Sequence, residues 1–359
     1  MKHTVIVVAG LLLSISPVVF AVEAATWPAL PEANGDCMIP AQEWPREPGS
    51  REVKVYIHYP GAALANVNAE TGLFLDLHNW GGTYTSGAVD PEQLANRCNV
   101  IAICVDYLQS GPGEETHPPY DFGYLQALDA LRALYFVYNG LDEQGTAFNK
   151  GRIYCTGGSG GGNVTLMCNK LAPRTFACSI DMCGMARLTD DIAFNLEGGS
   201  RLNARYSPDP ESPRYLSHGA QALRYVGNPE HLATMKELGN TVKMVVVHGA
   251  GDDVCPVEDA RAMVANMEAS GMDVEAVWVT EDMLDGETFK STGHSMGDRT
   301  RIVFEVAGKY LLPDSPGLVV REGVTDFERK EPIRYDVPGG AYVISYEKGY
   351  PVRTFQRGK

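Results

Sequence analysis

The stretch Arg152–Leu166, "RIYCTGGSGGGNVTL", sets one serine among five glycines. Glycine costs conformational entropy, so a cluster of it marks backbone that must bend sharply or approach something closely. A flexible linker would be long and polar on both sides. Here Ile153, Tyr154 and Cys155 lead in, and Val164, Leu166 and Met167 lead out. The pattern predicts a strand, a sharp turn at Ser159 and a helix.

The rest of the chain supplies the setting. Its 359 residues, 44% hydrophobic and 21% charged, suit one large globular unit or two smaller ones. A net charge of −15 argues against nucleic acid and anionic membrane surfaces as partners. At the N-terminus, Lys2 and His3 precede an apolar run from Thr4 to Ala21 and small residues at Ala21, Ala24 and Ala25. That reads as a signal peptide over residues 1–24, with the mature chain starting near Ala25 in a secreted or periplasmic setting. Eight cysteines in an exported chain make disulfides possible; Cys168 with Cys178, or Cys183 with Cys255, are candidates. Cys104, Cys155 and Cys178 sit in apparent core strands, where a thiol packs as a small apolar group. No C-x-x-C pair occurs, and no metal site is expected.

Val53–His58 alternates apolar and polar residues, as a half-buried strand does, and short apolar runs at Leu73–Leu77, Val100–Val105, Ile153–Thr156, Phe176–Asp181, Val242–Val247 and Val274–Thr280 have the style of strands buried on both faces. Helical spacing marks Gly123–Tyr138, Val257–Met267 and Arg301–Leu311. The alternation predicts an α/β fold: a doubly wound, mainly parallel sheet in a catalytic domain over residues 25–312. Residues 187–239 interrupt the rhythm and read as a cap-like insertion. Residues 313–359 form a C-terminal β extension, with a hairpin predicted from Tyr342 onward.

Gly157-Gly158-Ser159-Gly160-Gly161 fits G-x-S-x-G, in which a serine projects from a strained strand-to-helix turn. A phosphate-binding glycine loop fits worse, because the cluster lies behind several strands and no Lys-Ser/Thr follows. A serine hydroxyl needs a base, and the base needs an orienting acid. After the strand "VKMVVV", the loop "HGAGDDVCP" offers Asp252 and Asp253 as that acid. His294, in "STGHSMGDRT" after the last core strand, is the base expected from chain order. His248 reads as a structural strand-end histidine. For the oxyanion, one backbone N–H comes from Gly160, and the other from the loop "LHNWGGTY", with Trp80 favoured.

Taken in order, "LHNWGG", "GGSGG", "HGAGDD" and "TGHSMG" resemble the α/β-hydrolase superfamily over roughly Val53 to Leu312. Within it they are similar to secreted esterases of the dienelactone-hydrolase and feruloyl-esterase type, and to prolyl-oligopeptidase-like catalytic domains. The H-G-x-x-D pattern of that superfamily favours Asp252 over Asp253. The resemblance implies a serine hydrolase, with Ser159, Asp252 and His294 catalytic and Trp80 and Gly160 forming the oxyanion hole. No cofactor is implied. The leading expectation is a secreted esterase acting on small-molecule or carbohydrate esters. A serine peptidase of prolyl-oligopeptidase type is the second reading, and a non-catalytic binding protein on a hydrolase scaffold the third. The loop "ETHPPYDFG", containing His117, reads as a rigid segment ahead of a helix. "EDMLDGE" reads as a solvated acidic loop rather than a calcium site. The sequon at Asn163 falls in the predicted nucleophile helix, where a glycan would not fit.

Overall fold

A computed structural model describes residues 27–113 and 119–358; the expected signal peptide and His117 lie outside the described residues. Eight strands form one sheet: β1 Gly35–Pro40, β2 Glu52–His58, β3 Gly72–Leu77, β4 Val100–Asp106, β5 Ile153–Gly158, β6 Cys178–Met182, β7 Lys243–Gly249 and β8 Asp273–Val279. Their order across the sheet is β1-β2-β4-β3-β5-β6-β7-β8. β1 pairs antiparallel with β2, and β2 antiparallel with β4. From β3 onward each pairing is parallel, so helical crossovers must cover both faces.

Alternation along each strand divides the core in two. Leu73, Leu75, Leu77, Ile101, Ile103 and Ile153 share one core cluster with residues of α2 (Tyr124–Glu143) and α3 (Gly160–Leu171), whereas α1 (Pro91–Cys98) packs on the opposite face. Phe74, Val100, Ala102, Tyr154, Ile180 and Val245 belong to the other cluster, with Leu94 and Cys98 of α1 and with Ile302. Leu128, Leu131 and Leu134 of α2 are fully buried, each contributing about 2 kcal/mol relative to exposure.

The segment from residue 187 to 239 carries three helices: α4 Asp190–Phe194, α5 His218–Leu223 and α6 Pro229–Glu237. Its Leu188, Ile192, Ala204 and Leu216 form a third small core with Tyr120 and Phe122. α7 (Val257–Ala269) follows β7. The helix expected over Arg301–Leu311 starts as α8 at Arg299–Ile302, continues through a π-helical turn at Val303–Ala307, and ends as a short helix at Gly308–Leu311. At the C-terminus three strands, not two, make a small antiparallel sheet: β9 Ile333–Val337, β10 Gly340–Ser345 and β11 Val352–Arg357. It docks on α3, where Tyr346 donates to Leu171 O at 2.9 Å.

Neither candidate disulfide forms, and all eight cysteines are free. Cys168 and Cys178 belong to opposite faces of the sheet. Cys183 Sγ instead accepts from Gly249 N at 3.5 Å, and Cys255 packs in the third core.

The glycine cluster owes its composition to close approach. A Cβ on Gly161 would lie 2.2 Å from Leu77 O, and one on Gly157 would lie 2.4 Å from Gly161 C. Both obstacles are backbone, which cannot swing aside. Replacing Gly161 by alanine is therefore expected to destabilise the fold by about 3 kcal/mol, the upper end for overpacking. Chemical denaturation measures it; a loss below about 0.5 kcal/mol would contradict the packing argument.

Candidate active site

Ser159 sits between β5 and α3 with φ 57° and ψ −119°, a region that non-glycine residues rarely enter. Its own N–H donates to Met182 O at 2.8 Å, tying the turn to β6. Its carbonyl accepts from Asn163 N at 3.0 Å and starts the helix. The hydroxyl projects away from the sheet, against the loop that carries His294.

His294 Nε2 lies 2.8 Å from Ser159 Oγ, and His294 Nδ1 lies 2.8 Å from Asp252 Oδ2. Three side chains distant in sequence thus form one unbroken hydrogen-bonded series. Asp252 is 4% exposed, and its Oδ1 accepts from Val254 N at 2.9 Å and Cys255 N at 3.0 Å. Burial alone would raise its pKa. Hydrogen bonds from His248 and His294 outweigh that and hold the carboxyl well below the usual carboxylate range. Asp253, the alternative acid, is three-quarters exposed and pairs with Arg201 at 2.7 Å.

Trp80 and Gly160 come together beside the serine: a Cβ on Gly160 would lie 2.5 Å from Trp80 N. Gly160 is the first residue of α3, so its N–H has no intrahelical acceptor. In the facing loop Asn79 N donates to Ser86 O at 2.9 Å, which leaves Trp80 as the donor adjacent to Gly160. The Trp80 ring stacks on Tyr120, with centroids 3.7 Å apart.

Two residues near the array escaped sequence reasoning. His248 Nε2 lies 3.3 Å from Asp252 Oδ2 and donates to Cys255 O at 2.9 Å. Burial opposes charge on this imidazole, but the Asp252 hydrogen bond and the nearby Asp181 outweigh it and raise its pKa. The fully buried Asp181 is itself pushed up to about 6, by burial. Arg299 packs its guanidinium beneath the turn, where a Cβ on Gly158 would lie 2.3 Å from Arg299 Cζ. Its Nη1 is buried without a hydrogen-bond partner. The position of His248 at the strand end was visible, but its sharing of the carboxylate was not. Arg299 carried no signal separating it from an ordinary helix-start arginine.

Metal-capable groups overlap the array. Among the described residues, Cys183, His248 and Asp252 have ligand atoms within 4.8 Å of one another, as do Asp252, Cys255 and His294. Either set would engage the Asp252 carboxylate and compete with its imidazole hydrogen bonds. At Asn163 the sequon is fully buried, its amide donating to Met185 O at 2.8 Å, so a glycan has no room. The acidic loop after β8 is mostly self-bonded: Asp285 Oδ1 accepts from the N–H groups of Glu287, Thr288 and Phe289. Among the described residues, no helix is long and apolar enough to cross a membrane.

The strand order, the serine on its strained turn and the position of the helices define the α/β-hydrolase fold. Residues 115–316 match the family described as "Protein of unknown function (DUF2920)", and the chain belongs to that family. No curated protein matches the sequence. Similar solved structures include an acylaminoacyl peptidase from Pyrococcus horikoshii, at TM-score 0.54 and 14% identity, covering 80% of this chain and 43% of that one. A puromycin hydrolase matches at TM-score 0.52 and 18% identity, over 80% of this chain and 42% of that one. A putative dipeptidyl aminopeptidase IV from Bacteroides ovatus matches at TM-score 0.51 and 14% identity, over 78% and 36%. The chain spans less than half the length of these three proteins, and the likeness establishes the shared fold.

The two neighbouring aspartates give a direct test of the array. Asp252→Asn is expected to lower the acylation rate at Ser159 by about 10⁴-fold, because the imidazole loses the partner that fixes its tautomer. Asp253→Asn removes only an exposed ion pair and should leave that rate unchanged. Single-turnover kinetics with an activated acyl ester measure both; equal effects would remove Asp252 from its role.

Proposed function

We propose that this protein is a serine hydrolase that cleaves acyl compounds through an acyl-enzyme on Ser159. The observation that supports it is the continuous series from Ser159 Oγ through His294 to the buried Asp252. His294 takes the hydroxyl proton as Oγ attacks the acyl carbon, and later delivers it to the leaving group. Asp252 orients the ring and stabilises its charged form. The N–H groups of Trp80 and Gly160 receive the oxyanion, each such donor being worth about 10²–10³ in rate. Water activated by His294 then releases the acyl group. The reaction needs only these groups of the chain.

For the bond cleaved, we favour an amide of a peptide or aminoacyl compound. The structural neighbours titled acylaminoacyl peptidase and puromycin hydrolase support that choice over the ester reading. The second reading is an exported carboxylic esterase. Its support is the signal-like N-terminus and the acidic composition. Matched acyl p-nitroanilides and p-nitrophenyl esters separate the two. An amide hydrolase is expected to turn over both, with both rates lost in Ser159→Ala. Ester turnover with no measurable anilide turnover would shift the assignment to the esterase, and no Ser159-dependent turnover of either would reject both.

A further inference from the structure

Three segments outside the central sheet converge on one cavity of about 220 Å³. The linker between β1 and β2 contributes Arg46, the insertion contributes Tyr206 and Arg224, and the C-terminal sheet contributes Tyr342 and Arg353. None of Ser159, His294 and Asp252 lines it. Pro119 and Asp121 do, while the intervening Tyr120 stacks on Trp80.

The charges in this cavity do not balance. Among the described residues, Asp121 is the only carboxylate in the lining, against three arginines. Its Oδ1 already pairs with Arg224 at 3.0 Å, and its Oδ2 caps α2 at Gln126 N. Among the described residues, Arg46 donates to neutral carbonyls, those of Pro213 and Tyr215. Burial, together with the like charge of Arg224, lowers its pKa. Arg353 uses its backbone N–H toward Gln42, and its guanidinium makes no ion pair among the described residues. Among the described residues, Arg353 Nε and the hydroxyl of Tyr124, another lining residue, are each buried without a hydrogen-bond partner. Among the described residues, then, three guanidinium groups and one carboxylate line one small space.

The walls around those donors are flat and aromatic. The Tyr124 and Tyr342 rings meet edge to face at 5.3 Å, and Arg46 lies over the Tyr206 ring at 5.6 Å. Aromatic walls favour a planar apolar body, while guanidinium groups recognise a carboxylate through paired N–H donors. The volume suits a molecule the size of one ring with a short side chain. We propose that this cavity binds a small aryl carboxylate, with the carboxylate held by Arg353 and Arg46 and the ring packed against the tyrosine side chains. The site is distinct from the Ser159 array and does not depend on the reaction assigned there.

Isothermal titration calorimetry on the intact chain tests it with benzoate, benzamide and inorganic phosphate. Benzoate is expected to bind at least 10-fold more tightly than benzamide, which has the ring without the charge, and than phosphate, which has the charge without the ring. Arg353→Gln should weaken benzoate at least 10-fold with circular dichroism unchanged. Should that variant fail to fold, Arg46→Gln, at an exposed position, gives the same readout with the same expected loss. Equal binding of benzamide, tighter binding of phosphate, undiminished benzoate binding in the folded variant, or no benzoate binding at all would each overturn the proposal.

Discussion

Everything at the candidate site depends on how closely four pieces of backbone can approach one another at the end of β5. The turn at Ser159 is strained, and strain of this kind persists only where the surroundings over-determine it. Here they do so by contact. Gly161 lies under Leu77 O and His78 O, Gly160 beside Trp80 N, and Gly162 against Asp181 Oδ1. A side chain at any of these positions would push α3 away from the sheet. The glycines therefore act as spacers of minimum thickness, and the serine between them is held out toward His294.

The same closeness organises the electrostatics. Asp252 is buried, a position that alone would favour its neutral form. Two imidazoles and two backbone N–H groups converge on its oxygens and keep it ionised. A charged carboxylate fixed behind His294 has one ring geometry to impose, with Nε2 free to face Ser159. Arg299, half-buried beneath Gly158, adds a positive charge under the turn. The insertion and the terminal sheet do something different. They enclose a separate, positively charged cavity one residue layer away from the oxyanion loop.

Much of this was legible in the residue order, for reasons that can be stated. Strands buried on both faces are continuous apolar runs, so "LFLDL" and "VIAICV" were readable without partners. The first strand, "GDCMIP", was not, because an exposed edge strand carries no such run. The strand "IRYDV" was also missed: its buried Ile333 and Tyr335 alternate with exposed charges over only five residues. Local signals placed Ser159, His294 and the pair of aspartates, the H-G-x-x-D resemblance favoured Asp252, and burial, a three-dimensional property, sets it apart from the exposed Asp253. The candidate disulfides could not be chosen for the same reason, since spacing says nothing about which face of a sheet a thiol occupies. The cavity of arginines and tyrosines lay beyond any local reading, because its walls come from residues 44 to 353.

The central claim is that Ser159 is a nucleophile activated by His294. Mass spectrometry of the folded protein after exposure to a fluorophosphonate measures this directly. The account predicts one covalent adduct per chain, on the peptide containing Ser159, and a labelling rate that collapses in a folded His294→Ala variant. A folded wild-type chain that takes up no label, or one labelled at a serine elsewhere, would contradict it.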